Sequence, residues 1–234
     1  MRTDLWEGGA VIKRTLGRAV LRSRHWRIEG LPPDEPKYVM IAAPHTSNWD
    51  LLYLLAMSFA SGVKLSWLGK DSLFKGWMGK LMRALGGVPV PRGERSGMVD
   101  SLAEEFAAAE SLVIVIPPEA TRGYTDHWKS GFYRIAKAAD VPIACGYLDY
   151  ANKVGGFDTV IWPSDDLGAD MEAFRVFYAG KQGKYADEVG GVRLRGEELA
   201  GEKGASCRAG AVRGCAVDGG LGARGWPAGS LGGS

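Results

Sequence analysis

The chain reads as an α/β fold, a mostly parallel sheet flanked by helices on both faces. Three observations predict it. Residues 112–116, Leu-Val-Ile-Val-Ile, form a continuous, mostly β-branched run of the kind a sheet covers on both faces. A second run, Tyr38-Val39-Met40-Ile41-Ala42-Ala43, gives way to an apolar helical stretch from Leu51. Strands then keep alternating with helices, which favours parallel pairing through helical crossovers. Composition agrees: 234 residues, 46% hydrophobic and 24% charged, suffice for one enzyme-sized core.

Taken in order, residues 10–28 predict a short basic helix leading into a strand. Ile12, Leu16 and Val20, each four apart, with Ala19 beside them, make one apolar stripe. Leu31-Pro32-Pro33-Asp34-Glu35-Pro36 is a turn-rich connector. The strand at 38–43 precedes a helix over 51–60 and a second strand over 63–68. A helix then starts at Asp71 or Ser72, runs to about Leu85 and stops at Gly86-Gly87. Residues 88–90 are a short strand into the Arg92 loop, and 98–109 a helix with Glu104 and Glu105 outward. The central strand of 112–116 ends at Pro117-Pro118. A helix over 131–139, a strand over 141–147, a later strand over 157–162 and a helix over 170–178 follow. From 190 to 234 about a third of the residues are glycine and no apolar periodicity survives. Such a segment buries too little apolar surface to offset ordering, so disorder is expected. The chain thus divides into a basic amphipathic segment 1–30, a main domain 31–189 and a Gly-rich tail 190–234.

Net charge is only +2, but it is unevenly spread. Residues 1–30 hold seven Lys or Arg against three acids, and residues 64–95 seven against two. Both interleave the charge with Leu, Val and Trp, which fits a membrane surface with anionic lipids better than a nucleic-acid groove. No nucleic acid is expected as a partner. The longest apolar run, 51–63, has 13 residues and is too short to span a bilayer. Cys145, Cys207 and Cys215 form no metal-ligand spacing with the three histidines, so no metal is expected. Cys145, in an apolar strand, reads as a small core residue. An odd cysteine count without a secretory leader points to a reducing compartment.

The chemistry-bearing segment is His45-Thr46-Ser47-Asn48-Trp49-Asp50, between the strand of 38–43 and the helix after it. Strand-to-helix connections are where α/β proteins commonly place their chemistry. Asp50 can accept from one ring nitrogen of His45, which fixes the tautomer and leaves the other nitrogen to take a proton. No serine in a strained elbow accompanies the pair, so the attacking hydroxyl would come from a substrate. The competing reading is a turn cap, with Asp50 at the positive end of the helix dipole. His25 and His127 have no comparable company.

Three further blocks follow: Gly86-Gly87-Val88-Pro89-Val90-Pro91-Arg92, Ile116-Pro117-Pro118-Glu119-Ala120-Thr121-Arg122-Gly123 and Val141-Pro142-Ile143. With His45 to Asp50, in this order, they resemble the glycerolipid acyltransferase family typified by lysophosphatidic acid acyltransferase, over roughly residues 35–185. Two positions depart from its pattern. Pro44 precedes His45 where the family carries an Asn or similar residue. Ala120 replaces the glycine of Pro-Glu-Gly-Thr-Arg, and its methyl group would narrow the approach of substrate to the backbone.

The resemblance implies transfer of an acyl group from a thioester to an alcohol, with acyl-CoA or acyl carrier protein as co-substrate and no cofactor. His45 would be the general base, held by Asp50. The free amides at the start of the helix would face the reaction centre as oxyanion donors. Arg92 and Arg122 sit in the two loops where the family binds the phosphate of its acceptor, a task suited to the planar arginine fork. Glu119 and Thr121 complete that substrate-binding set, Glu119 orienting Arg122 or accepting from the acceptor hydroxyl. Two blander roles stay open: an ion pair of Arg122 with Glu119, and Arg92 as a solvated charge. Residues 73–82 with Trp67 are expected at the lipid-facing mouth of an acyl groove. The expected setting is cytoplasmic, peripheral on the inner face of the cell membrane, with a lysolipid acceptor. The same residues also allow an ester or thioester hydrolase, and a non-catalytic lipid-binding module.

Overall fold

Runs of alternating and continuous apolar residues resolve into thirteen main elements in the computed structural model, which describes residues 9–30, 32–90 and 97–195. In chain order they are α1 (Ala10–Ser23), β1 (Arg27–Glu29), β2 (Lys37–Ala43), α2 (Trp49–Ser61), β3 (Ser66–Lys70), α3 (Gly76–Ala84) and β4 (Gly87–Val90). After these come α4 (Met98–Ala108), β5 (Leu112–Ile116), α5 (Gly131–Ala139), β6 (Ile143–Asp149), β7 (Val154–Ile161) and α6 (Leu167–Tyr178). The seven strands form one sheet in the order β1-β7-β6-β2-β5-β3-β4. The five from β6 to β4 are mutually parallel, β7 is antiparallel to β6, and β1 pairs parallel with β7.

Strand β2 shows how the layers arise. Val39, Ile41 and Ala43 face one side and pack with Phe106 of α4, Phe132 of α5 and Phe174 of α6. Tyr38 and Met40 face the other, with Leu55 of α2 and Trp67 and Phe74. Complete burial of each large side chain contributes about 1.5–3 kcal/mol, so a strand apolar on both sides belongs in mid-sheet. A third cluster seats α1 on α2 through Leu21, Trp26, Tyr53, Ala56, Met57 and Leu148. The segment 1–30 is therefore joined to the main domain from its helix onward, β1 adding a strand to the sheet.

Several expectations are corrected. The buried face of α1 is Gly17 and Leu21; Val11, Ile12 and Leu16 point outward, 78%, 73% and 55% exposed. A Cβ at Gly17 would collide with the Ala56 carbonyl, so only a residue without a side chain lets the helices meet. The strand expected at 157–162 begins at Val154 and runs antiparallel, because the four residues 150–153 are too few for a crossover helix. The helix expected from Asp71 to Leu85 breaks. A 3-10 turn covers Asp71–Phe74, Lys75 is extended at φ −90° and ψ 147°, and Gly76, the first residue of α3, has φ +59°. Residues 190–195, at the start of the expected tail, run alongside Trp128, whose amide donates to the Arg193 carbonyl at 2.8 Å, and Leu194 enters the core. Residues 196–234 lie outside the described residues, as do 1–8.

Candidate active site

Parallel neighbours end on the same edge of a sheet. Strands β6, β2 and β5 therefore present Tyr150, His45 and Glu119 side by side. The loop after β2 is short, crosses the cis Ala43-Pro44 bond, and enters α2 with Asp50 in the first turn. Asp50 is 5% exposed and takes four hydrogen bonds. Its Oδ2 accepts from His45 Nδ1, Thr46 N and Ser47 N, each at 3.0 Å. Its Oδ1 accepts from the Tyr150 hydroxyl at 2.6 Å. A carboxylate surrounded by donors acts as acceptor, so Nδ1 donates in this bond and Nε2 takes no part in it. The His45 side chain is 25% exposed, open enough to be approached.

Three of the amides around the helix start, where oxyanion donors were expected, are engaged by the protein itself. Those of Thr46 and Ser47 bond Asp50, and that of Trp49 bonds Ser47 Oγ at 3.1 Å. The physical reason is local: a carboxylate at the helix start satisfies the free amides of the turn before it.

Tyr150 is the functional residue that sequence reasoning missed. It stands a hundred residues from Asp50 and is braced edge-on against Trp26 and Tyr53, with ring centroids at 5.0 and 5.9 Å. Burial first, then the bond to Asp50, pushes its phenol well above the usual tyrosine range, so it stays a donor. Its one sequence signal was position: it follows a central strand beside the one carrying His45.

Glu119 is 8% exposed. Its Oε1 accepts from the His45 amide at 3.2 Å, and its Oε2 is buried with no partner. Burial pushes its carboxyl up to about 7, against the lowering effect of the backbone amides it accepts from. It makes no ion pair with Arg122, and both Thr121 and Arg122 are exposed. Ala120, between Glu119 and Thr121, has φ +56°, the left-handed region that favours glycine. Arg92 lies outside the described residues. Trp67 does not rim a groove: it is 6% exposed, donates to the Leu85 carbonyl at 3.0 Å and packs on Phe74. Leu73, Trp77, Met78 and Leu81 are the exposed apolar residues there. Cys145 is buried and free. Among the described residues no three His, Cys, Asp or Glu side chains converge as metal ligands, and no helix is long and apolar enough to cross a membrane.

Comparison with known proteins gives two matches. A family model described as Acyltransferase covers residues 26–147. The crystal structure of the 1-acyl-sn-glycerophosphate (LPA) acyltransferase PlsC from Thermotoga maritima is similar in fold. Its TM-score is 0.52 at 16% identity, over 72% of this chain and 77% of that one. No curated protein sequence matches the chain.

Proposed function

The chain belongs to the acyltransferase family, and we propose that it moves a fatty acyl group from acyl-CoA or acyl carrier protein to a hydroxyl of a glycerol-phosphate-type lysolipid. The observation that carries the mechanism is the single carboxylate of Asp50 gripped by four donors, one of them the catalytic ring. His45 Nε2 takes the proton of the acceptor hydroxyl as its oxygen attacks the thioester carbonyl. The C–O bond forms, the tetrahedral intermediate collapses, the C–S bond breaks, and His45 returns the proton to the departing thiolate. Asp50 holds the tautomer and stabilises the imidazolium. A thioester is reactive enough toward a deprotonated alcohol that this scheme calls for no cofactor.

Glu119 fixes the start of the loop through the His45 amide, and its open Oε2 is placed to meet the acceptor hydroxyl. Arg122, with Thr121 beside it and Arg92 from the neighbouring loop, would read the acceptor phosphate. Residues 31–189 would form the catalytic domain. Exposed Val11, Ile12 and Leu16 lie beside Arg14 and Arg18 on α1, and Trp77, Met78 and Leu81 beside Lys80 on α3. These faces favour a peripheral position on an anionic membrane, consistent with the cytoplasmic inner face.

Free thiol released from acyl-CoA, measured with and without lysolipid, tests the reading. Release that requires the lysolipid and yields the diacyl product supports transfer. Equal release without acceptor would make the protein a hydrolase using the same pair.

A further inference from the structure

On the β6 side of the reaction centre a pocket opens between the end of α1, the start of α2 and the β6–β7 turn. Its cations are Arg24, Lys153 and Lys184. Its aromatic wall includes Trp49 and Tyr150, the latter also bonded to Asp50. No carboxylate lines it, and among the described residues none of the three cations is in an ion pair. The Arg24 guanidinium carbon and the Lys184 ammonium lie 6.0 and 5.0 Å from the centre of the Trp49 ring, which is 45% exposed. Lys153 is held at φ +51°, a conformation glycine would adopt at less cost. Three like charges drawn around one concavity repel each other until an anion joins them.

We propose that this pocket seats a phosphate group of one of the two reactants. The inference rests on the acyltransferase reading and adds a site to it. Strands β6 and β5 flank β2 on its two sides, so the pocket and the Glu119–Arg122 loop bracket the His45–Asp50 pair. Two reactants thus have two approaches, and only one side is served by Arg122. The aromatic wall suits an organic phosphate, whose carbon skeleton covers the rings while its oxygens meet the cations. Both a glycerol phosphate headgroup and the phosphates of a CoA-type donor carry that chemistry.

Calorimetric titration of the full chain with glycerol 3-phosphate, glycerol, CoA and pantetheine tests the seat, in wild type, Arg24→Gln, Lys184→Gln and Lys153→Gly. At least one phosphate-bearing ligand should bind, and the phosphate-free controls should not. Each cation removed should weaken binding roughly tenfold, as expected for a charge-assisted contact, and added salt should weaken it further. Lys153→Gly is the cleanest variant: it relieves the backbone, so the melting temperature should hold or rise while affinity falls. Preference for glycerol 3-phosphate assigns the seat to the acceptor, and preference for CoA to the donor. Unchanged affinity in a folded Arg24→Gln/Lys184→Gln double variant, equal binding of a phosphate-free control, or no binding of any ligand overturns the proposal. The reaction reading fails separately, through acceptor-independent thiol release, and that outcome leaves the titration standing.

Discussion

The loop after β2 and the loop after β5 lie side by side on one edge of the sheet and are built in opposite ways. Between His45 and Asp50 the amides of Thr46, Ser47 and Trp49 all end on protein acceptors, and the acceptor that matters most is buried. After β5 Pro118 and Glu119 are buried; Ala120, Thr121 and Arg122 face solvent, and Thr121 Oγ1 accepts from the Gly123 amide at 3.3 Å. One loop turns three of its amides onto its own acceptors, and the other exposes Thr121 and Arg122. In the proposed reaction that division would set the proton-transfer groups before substrate arrives and leave recognition to contacts made with the acceptor.

The largest effect that can break this comparison is on the first loop. His45→Ala should lower turnover by roughly 10²–10⁴-fold, the usual contribution of a general base, with the fold retained by circular dichroism. Asp50→Asn should cut turnover through the wrong tautomer and, because an amide NH2 then faces the Thr46 and Ser47 amides, should also lower the melting temperature while the fold is retained. Wild-type turnover in folded His45→Ala would end the mechanism.

Glu119 sits between the two loops, and its titration tests which it serves. A carboxyl raised from 4.5 to about 7 takes up a proton on folding across that window. Wild-type stability should therefore fall as pH rises from about 4.5 to about 7, by on the order of 3 kcal/mol from this group. Glu119→Gln keeps an acceptor for the His45 amide and removes the proton uptake. Urea unfolding of both proteins at pH 5 and pH 8 should show the variant gaining on wild type at the higher pH. A constant gap would mean that Glu119 is ionised in the folded protein throughout.

Smaller losses should separate by kinetic parameter. Tyr150→Phe removes one donor from Asp50 and should lower kcat about tenfold, with little change in either KM, because the loss is one charge-assisted bond. Arg122→Ala should instead raise KM for a phosphate-bearing lysolipid about tenfold or more, with the same acceptor lacking phosphate barely affected. If both acceptors suffer equally, Arg122 does not read phosphate. The smallest effect sharpens the contrast from the other side. Ala120→Gly should stabilise the protein by about 1 kcal/mol, the left-handed penalty for a side chain, seen as a higher melting temperature.

The central layers were legible because both faces of β2 and β5 are buried, which leaves an unbroken apolar run in the sequence. The His45–Asp50 pair was legible because its members lie within one loop. Tyr150 was not: its link to Asp50 exists only once β6 pairs with β2, and no local spacing encodes that. The break at Lys75-Gly76 hid inside an acceptable helical pattern, since a positive φ at one glycine leaves no trace in hydrophobic periodicity. The roles of the loop amides were misread for a related reason. The histidine bond and the cap of the helix start stand as competing readings of Asp50, whereas a carboxylate has room for several donors and here serves both.

The seat of Gly17 against the Ala56 carbonyl has a mechanical consequence. With no side chain between them, α1 and α2 lie in direct backbone contact, and α2 carries Asp50 in its first turn. One glycine thereby brings the helix whose exposed face holds Val11, Ile12 and Leu16 against the helix that holds Asp50.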